Sequence, residues 1–256
     1  MVFCKGKVGS VRLILKGLDY FGRASGLEAN KGKSELFCAN MAEKDVDLLC
    51  KASGFHKGSW PFKYLGAPIC NRKISKEDCD LLIQKMTSRI RGWQSRHLSF
   101  AGRLQIVNAM LMSICTYWMQ IMIIPASVIK EINRICRKFL WEGNIHGSKS
   151  GYVSWEKACK PKSKGGLGIR DLTLWNQLAV GKLVWQIQEK EDSLWVKWVH
   201  NIYIKGRDWW DYQPSRLASW IWRSVCKVKN FLKGTPKDEW WPSKGNVYKL
   251  AKLIEQ

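Results

Sequence analysis

The apolar residues of this chain recur mostly at intervals of three and four, the spacing that places side chains on one face of an α-helix. Strand-like segments are short and confined to the first 70 or so residues. We predict helices over residues 11–25, 45–53, 79–91, 103–121, 128–140, 172–188, 193–204 and 219–228. Strands are predicted at residues 1–5, on both sides of the basic turn 30–34, and as a pair around Gly66. The fold class is therefore α+β, predominantly α-helical, with a small residual sheet near the N-terminus.

Several residues with specific backbone roles mark element boundaries. Gly26 suits the left-handed position that ends a helix. Ser10 and Ser127 are predicted N-caps, since a serine hydroxyl accepts a hydrogen bond from a free backbone N–H. Ser75 and Asp78 resemble a capping box in which Asp replaces the usual Glu. We expect helices to start or end at these residues.

The helix that begins at Arg103 is almost wholly apolar. Its predicted core-facing stripe consists of Ile106, Met110, Ile114, Tyr117 and Ile121. No charged residue occurs over residues 104–129, which meets the length criterion of a membrane span. Polar residues interrupt this segment and Pro125 cuts it, so we expect a core helix and not a membrane span.

The charge balance points to a class of partner. Lys and Arg number 43, Asp and Glu 21, and the formal net charge is +22. Such an excess favours a polyanion. Nucleic acid is the first candidate, an anionic membrane surface the second, and a basic surface without a partner the third. The 15 tryptophans suit base stacking and a bulky core alike, and we assign most of them to the core.

The sequence gives little support for a metal site, a nucleotide-binding loop or a catalytic site. Nine cysteines without C-x-x-C spacing favour reduced thiols in an intracellular protein over disulfides or a zinc site. The Asp-x-Asp pairs at 45/47 and 78/80 lie in helical patterns, where residues two apart do not face each other. The glycine cluster at 165–168 is not followed by the Gly-Lys-Ser/Thr of a phosphate loop. We therefore predict no metal site, no cofactor, no small-molecule substrate and no secretion.

Several segments occur in the order and spacing found in plant non-LTR (LINE-type) retrotransposon reverse transcriptases. They are residues 3–6, 25–34, 62–68, 93–103, 136–141, 155–157 and 161–169. This combination resembles the distal part of that family over about residues 1–230. The resemblance implies a palm remnant with a primer-grip-like hairpin at 1–75, a helical thumb at 76–145, a helical connector at 146–232, and the start of a truncated zinc-binding-like region at 233–256.

The resemblance and the charge together predict sequence-independent binding of RNA or DNA, in the nucleus, and leave the oligomeric state open. The predicted nucleic-acid contacts are Lys63, Tyr64, Arg89, Arg91, Arg96 and Arg103. The basic side chains are expected to meet the phosphate backbone, and Tyr64 to pack against a primer strand. Lys33 resembles a palm lysine that lies near the incoming nucleotide in the family.

The resemblance also implies that no catalytic residue is present. The family's catalytic aspartates hold two magnesium ions during phosphoryl transfer, and they precede the equivalent of Met1. Lys33 is then a remnant of the palm, and the chain lacks polymerase activity of its own. Two alternatives stay open. Either the catalytic N-terminal part of an active RNA-directed DNA polymerase is missing from the gene model, or the chain is a decayed open reading frame without function.

We expect the purified 256-residue protein to incorporate no nucleotide on a primed RNA or DNA template with Mg²⁺, because the chain has no match for the family's aspartates. A primer-extension assay with labelled nucleotide measures this, with an intact reverse transcriptase as the positive control. Extension above background that EDTA abolishes would contradict the prediction.

Overall fold

The computed structural model describes residues 1–94, 98–144 and 151–234 of the chain. The chain divides into two compact units, Met1–Arg72 and Lys73–Gln256. Helices dominate both units over the described residues, and the strands are two or three residues long, so the predominantly helical α+β prediction is confirmed. The predicted region 233–256 lies almost entirely outside the described residues, and the domain assignment stays a prediction.

The unit Met1–Arg72 combines two helices with two small strand pairs. Its elements are α1 (Val8–Ser25), β1 (Glu35–Leu36), α2 (Glu43–Ser53), β2 (His56–Lys57), β3 (Phe62–Tyr64) and β4 (Ala67–Ile69). Helix α1 packs against α2. Strand β1 pairs with β2 in parallel, with α2 as the connection between them, and β3 pairs with β4 antiparallel.

Three predictions for this unit are wrong. Residues 1–5 form no strand, and Ser10 lies inside α1, which begins at Val8. Residues 27–38 contain one strand and not two. The reason is local, because the Asn30 side chain accepts a hydrogen bond from the Lys33 backbone N–H at 3.1 Å and closes a 3-10 turn at Lys31–Lys33.

Two turn predictions in the same unit are confirmed. Gly26 ends α1 with a φ of 72°, a conformation that glycine adopts without steric cost. Leu65 (φ 49°) and Gly66 (φ 83°) form the tight turn between β3 and β4. The hairpin is anchored by the Phe62 ring, which stacks on Phe37 with ring centroids 3.9 Å apart.

The unit Lys73–Gln256 consists of helices and connecting loops, with no strand among its described residues. Its helices are α3 (Asp80–Gln94), α4 (Phe100–Ile106), α5 (Met112–Ile121), α6 (Ala126–Glu142), α7 (Trp155–Ala158), α8 (Leu172–Gln188), α9 (Leu194–Val199) and α10 (Trp220–Lys233). A π-helical turn, Val107–Leu111, joins α4 to α5, and a second, His200–Ile204, follows α9. The predicted capping box is confirmed, since the Ser75 N–H donates to Asp78 Oδ2 at 2.7 Å and the Asp78 N–H to Ser75 Oγ at 3.4 Å.

The predicted core-facing stripe of the central helix is wrong. Met110, Tyr117 and Ile121 are 41%, 39% and 43% exposed, and Ile106 and Ile114 are half-buried. The row one residue further along faces the core instead, and it contains Val107, Leu111, Cys115, Trp118 and Met122. Gln105, Ser113 and Gln120 are exposed polar residues of this segment. Its apolar residues nevertheless cover too wide an arc for their spacing to identify the face that packs.

Helix α6 behaves as its sequence predicts except at its start. Its buried stripe consists of Val128, Ile129, Ile132, Ile135, Cys136, Phe139 and Leu140. Pro125 occupies the N-cap position, so the predicted cap at Ser127 is wrong. A polar outer face distinguishes α6 from the central helix and makes its stripe readable. Among the described helices, none is both long and apolar enough to cross a membrane.

A buried asparagine joins α8 to the connection between α5 and α6. Asn176 is 1% exposed. Its side-chain nitrogen donates to the carbonyl oxygens of Met119 and Met122, both at 2.8 Å, and its oxygen accepts from the Ile124 N–H at 2.7 Å. The bend after α5 exposes backbone groups that a helix would satisfy internally, and Asn176 supplies partners for three of them.

A buried lysine on α10 likewise satisfies backbone groups of a neighbouring segment. Lys229 is fully buried, and its ammonium group donates to the backbone carbonyl oxygens of Trp209, Trp210 and Tyr212. The ammonium nitrogen also lies 5.0 Å from the centroid of the Trp209 ring. An ammonium group has three N–H donors, so each one has an acceptor. Lys229 thereby ties the loop before α10 to the helix, and its burial lowers its pKa.

We expect Asn176→Leu to lower the free energy of unfolding by about 3–4 kcal/mol, because two carbonyls and one N–H lose their buried partner. Urea unfolding followed by circular dichroism measures the change. Thr173→Ala, on the exposed side of the same helix, should stay within about 0.5 kcal/mol of wild type. Equal effects of the two substitutions would refute the anchoring role.

We expect Lys229→Met to destabilise the protein by about 2–4 kcal/mol, since methionine fills similar space but leaves three carbonyl oxygens without donors. The matched control is Lys227→Met, which removes the same charge from an exposed position on α10. A denaturation midpoint for Lys229→Met that equals the control would show that the three hydrogen bonds contribute nothing net.

Candidate nucleic-acid interface

Three helix ends meet in the unit Lys73–Gln256. The C-terminal end of α3 contacts α6 through Trp93 and Phe139, whose ring centroids lie 6.3 Å apart. The start of α4 contacts the end of α6 through Phe100 and Trp141, which stack with centroids 5.2 Å apart and ring planes 28° apart. These aromatic contacts bring together segments that are distant in sequence.

Five cationic residues belong to these helix ends. We call the region the basic end and define it by Arg89, Arg91, Arg103, Arg137 and Lys138. Arg89 and Arg91 are exposed near the end of α3, and the other three are half-buried. Arg91 lies in the last turn of α3, where a cation also interacts favourably with the helix dipole. All five cations thus lie on helix segments that the two aromatic contacts join.

Acidic residues are scarce in the segments that build the basic end. The sequence contains none between Asp80 and Glu131. Glu131 accepts two hydrogen bonds from Arg134, at 2.8 and 2.6 Å, and these lower the pKa of its carboxyl group. Glu142, on the last turn of α6, is the acidic residue nearest to Lys138 and Trp141 in sequence, and its Oε1 atom is buried. Local positive charge therefore exceeds local negative charge.

Arg103 differs from the other cations because it lies against the end of α6. Its Nε atom is buried and has no partner among the described residues. A Cβ atom added to Gly143 would lie 2.9 Å from Arg103 Nη1. Gly143 ends α6 with a φ of 76°, and its lack of a side chain leaves room for the guanidinium group. Arg103 is thus held in place by packing as well as carrying charge.

The remaining predicted contacts lie elsewhere. Lys63 and Tyr64 are on β3 in the unit Met1–Arg72, where Lys63 is exposed and Tyr64 is 42% exposed. Lys33 is exposed at the end of the Lys31–Lys33 turn. Arg96 lies outside the described residues. The structure therefore brings Arg89, Arg91 and Arg103 into one unit and places Lys63 and Tyr64 in the other.

Sequence reasoning missed four members of this region. Arg137 and Lys138 fall within the predicted helix 128–140, but they were not among the predicted contacts, and neither were Trp141 and Tyr152. Arg137 and Trp141 are four residues apart, so they lie on the same side of α6. That spacing is the sequence signal that places the Arg137 guanidinium group near the Trp141 indole ring. Tyr152 has no local signal, since its position depends on contacts with α6.

Other candidate groups have structural roles. In the glycine cluster, the Gly166 N–H donates to Pro161 O at 3.1 Å and the Gly168 N–H to Lys160 O at 3.0 Å, so neither is directed at an anion. Within the described ranges, no three His, Cys, Asp or Glu side chains are placed to hold a metal ion.

All nine cysteines lie in the described parts of the chain, and none of them forms a disulfide there. Burial raises the pKa of Cys115 and of Cys159 to about 12 and that of Cys226 to about 11. A raised pKa keeps these thiols protonated at neutral pH and makes them poor nucleophiles.

A mostly apolar cleft of about 360 Å³ lies between the start of α6, α8 and α10. Ile124, Ile129, Val228 and Phe231 supply much of its wall, and Lys227 lies on its lining. None of the predicted nucleic-acid contacts within the described residues lines this cleft. The cleft and the basic end are therefore separate features.

Comparison with known proteins identifies two relatives. The chain is 32% identical over 161 residues to the Arabidopsis thaliana protein named "Putative ribonuclease H protein At1g65750", a match that covers 62% of this chain and 26% of the relative. It is 25% identical over 122 residues to "Uncharacterized mitochondrial protein AtMg00310" of the same plant, covering 47% of this chain and 79% of the relative. No protein-family model matches the chain. The chain thus spans about a quarter of the first relative and is similar to plant proteins that carry these two names.

Proposed function

We propose that this chain binds RNA or DNA through the basic end without reading base sequence. The observation that carries the proposal is the meeting of three helix ends that bear Arg89, Arg91, Arg103, Arg137 and Lys138. Four of the five are arginines, whose planar guanidinium groups form paired hydrogen bonds to phosphate oxygens. A surface of this chemistry suits a phosphate backbone better than a neutral partner.

Physical chemistry predicts how such an interface behaves. Each phosphate that a cation neutralises releases a condensed counterion, so log affinity falls linearly with log salt, by about 0.9 per contact on a duplex. The net charge of +22 adds a long-range attraction that accelerates encounter but gives no sequence preference. Affinity should therefore depend strongly on salt and weakly on sequence.

We also infer that the chain derives from a retroelement and that the basic end is the equivalent of a reverse-transcriptase thumb. Two findings support this inference. The resemblance to plant LINE-type reverse transcriptases extends across both units, and the first relative's name includes ribonuclease H. Lys63 and Tyr64 are then the corresponding contacts on the primer-grip-like hairpin β3–β4.

We expect substitution of four basic-end residues to reduce the salt dependence of duplex binding. The variant carries Arg89→Gln, Arg91→Gln, Arg137→Gln and Lys138→Gln. If all four contact phosphate, the slope of log affinity against log salt should become less steep by about 3–4. Fluorescence anisotropy of a labelled duplex, titrated at several salt concentrations, measures both slopes.

The control variant removes the same number of charges from exposed positions on and after α8. It carries Lys182→Gln, Lys190→Gln, Lys205→Gln and Arg207→Gln. This variant should keep a slope within about 1 of wild type, because only local contacts release counterions at the site. The proposal is wrong if both variants lose slope equally, since net charge alone would then explain binding.

A further inference from the structure

An aromatic cluster lies beside the cations of the basic end and is partly open to solvent. Phe100 stacks on Trp141, and the Tyr152 ring meets Trp141 edge-on, with centroids 5.6 Å apart and planes at 75°. Tyr152 is 88% exposed and Phe100 37% exposed. We call these three residues the aromatic platform. Its outermost ring, Tyr152, contacts Trp141 and is largely exposed to solvent.

The position of Tyr152 is set by the residue before it. A Cβ atom added to Gly151 would lie 2.5 Å from both Cδ1 and Nε1 of Trp141 and 3.2 Å from Nε of Arg137. Backbone at residue 151 therefore rests directly on the indole edge and beside the guanidinium group. This contact also covers Trp141 Nε1, which is buried without an acceptor among the described residues. Glycine at 151 thus places the next side chain at a defined point on α6.

An exposed aromatic ring beside an arginine, as Tyr152 is beside Arg137, suits the binding of a nucleobase and its phosphate. Nucleobases have flat π faces that stack on aromatic side chains in a sequence-tolerant way, worth about 1–3 kcal/mol per base. Bases inside a duplex are already stacked on one another, so only unpaired bases are available to such a ring. Arg137, next to Gly151 on the same side of α6, is placed to neutralise the adjoining phosphate.

We propose that the aromatic platform stacks an unpaired base of single-stranded RNA or DNA, with Tyr152 as the residue on which the base lies. This inference rests on the proposed function and adds to it. The basic end contacts phosphates of any nucleic acid, whereas the platform distinguishes unpaired from paired bases. The two activities use different atoms, so they are separable by substitution.

The test compares three labelled probes, namely oligothymidine about 20 nucleotides long, an abasic strand with the same number of phosphates, and a duplex of the same strand length. Wild type should bind oligothymidine about 5- to 150-fold more tightly than the abasic strand, the range that stacking of one base supplies. Tyr152→Ala should remove this difference and leave duplex affinity within about twofold. Tyr152→Phe should retain it, because the phenyl ring stacks equally well.

A second variant tests the positioning role of Gly151. Gly151→Val should reduce the oligothymidine preference as Tyr152→Ala does, because its side chain would displace the segment from Trp141. Thermal unfolding is measured for both variants to show that the fold is retained. Tyr152→Ala should unfold as wild type does, because Tyr152 is exposed.

The outcomes separate the two proposals. If wild type binds duplex with a steep salt dependence and Tyr152→Ala retains the preference for oligothymidine over the abasic strand, the platform inference is wrong and the proposed function stands. If Tyr152→Ala weakens duplex and single-strand binding equally, the ring contacts both ligands without stacking on a base, and the platform inference is wrong. If wild type binds none of the probes, both proposals fail.

Discussion

Burial of one face of α6 is the interaction on which the unit Lys73–Gln256 depends. Val128, Ile132, Ile135 and Phe139 are at most 1% exposed, and each such side chain contributes about 1.5–3 kcal/mol on leaving water. Helix α6 contacts α3, α4 and α8, so it fixes where their ends lie. Its remaining surface carries Arg137, Lys138 and Trp141. Folding and the proposed binding therefore use different sides of one helix.

The cations of the basic end repel one another, so other contacts must hold the three helix ends together. At the distances and dielectric of a protein surface the repulsion between two unit charges is on the order of 1–4 kcal/mol before salt screening. The Trp93–Phe139 and Phe100–Trp141 contacts oppose this repulsion, because separating the helix ends would expose large apolar rings. A bound polyanion would remove the repulsion, so ligand binding should also stabilise the fold.

Sequence patterns predicted the buried side of a helix where the helix has one apolar face and one polar face. The bounds of α8 and the stripe of α6 were predictable, because capping residues and a polar outer face mark them. The packed face of the central helix was not predicted, since its apolar residues cover too wide an arc for their spacing to single out the face with Val107 and Leu111. For the candidate site too, some residues could be predicted from the sequence and others could not. Exposed Arg89 and Arg91 could be predicted from composition and resemblance. The packed state of Arg103 depends on Gly143, and the placement of Tyr152 depends on Gly151, contacts that local sequence does not reveal.

The enclosure of Lys229 has a chemical consequence. Acylating reagents attack the neutral form of a lysine amine and must reach it from solvent. Burial lowers the pKa of Lys229 and so favours the reactive form, yet the same burial keeps the reagent out. Its modification rate in the native protein should therefore report how often the loop before α10 opens.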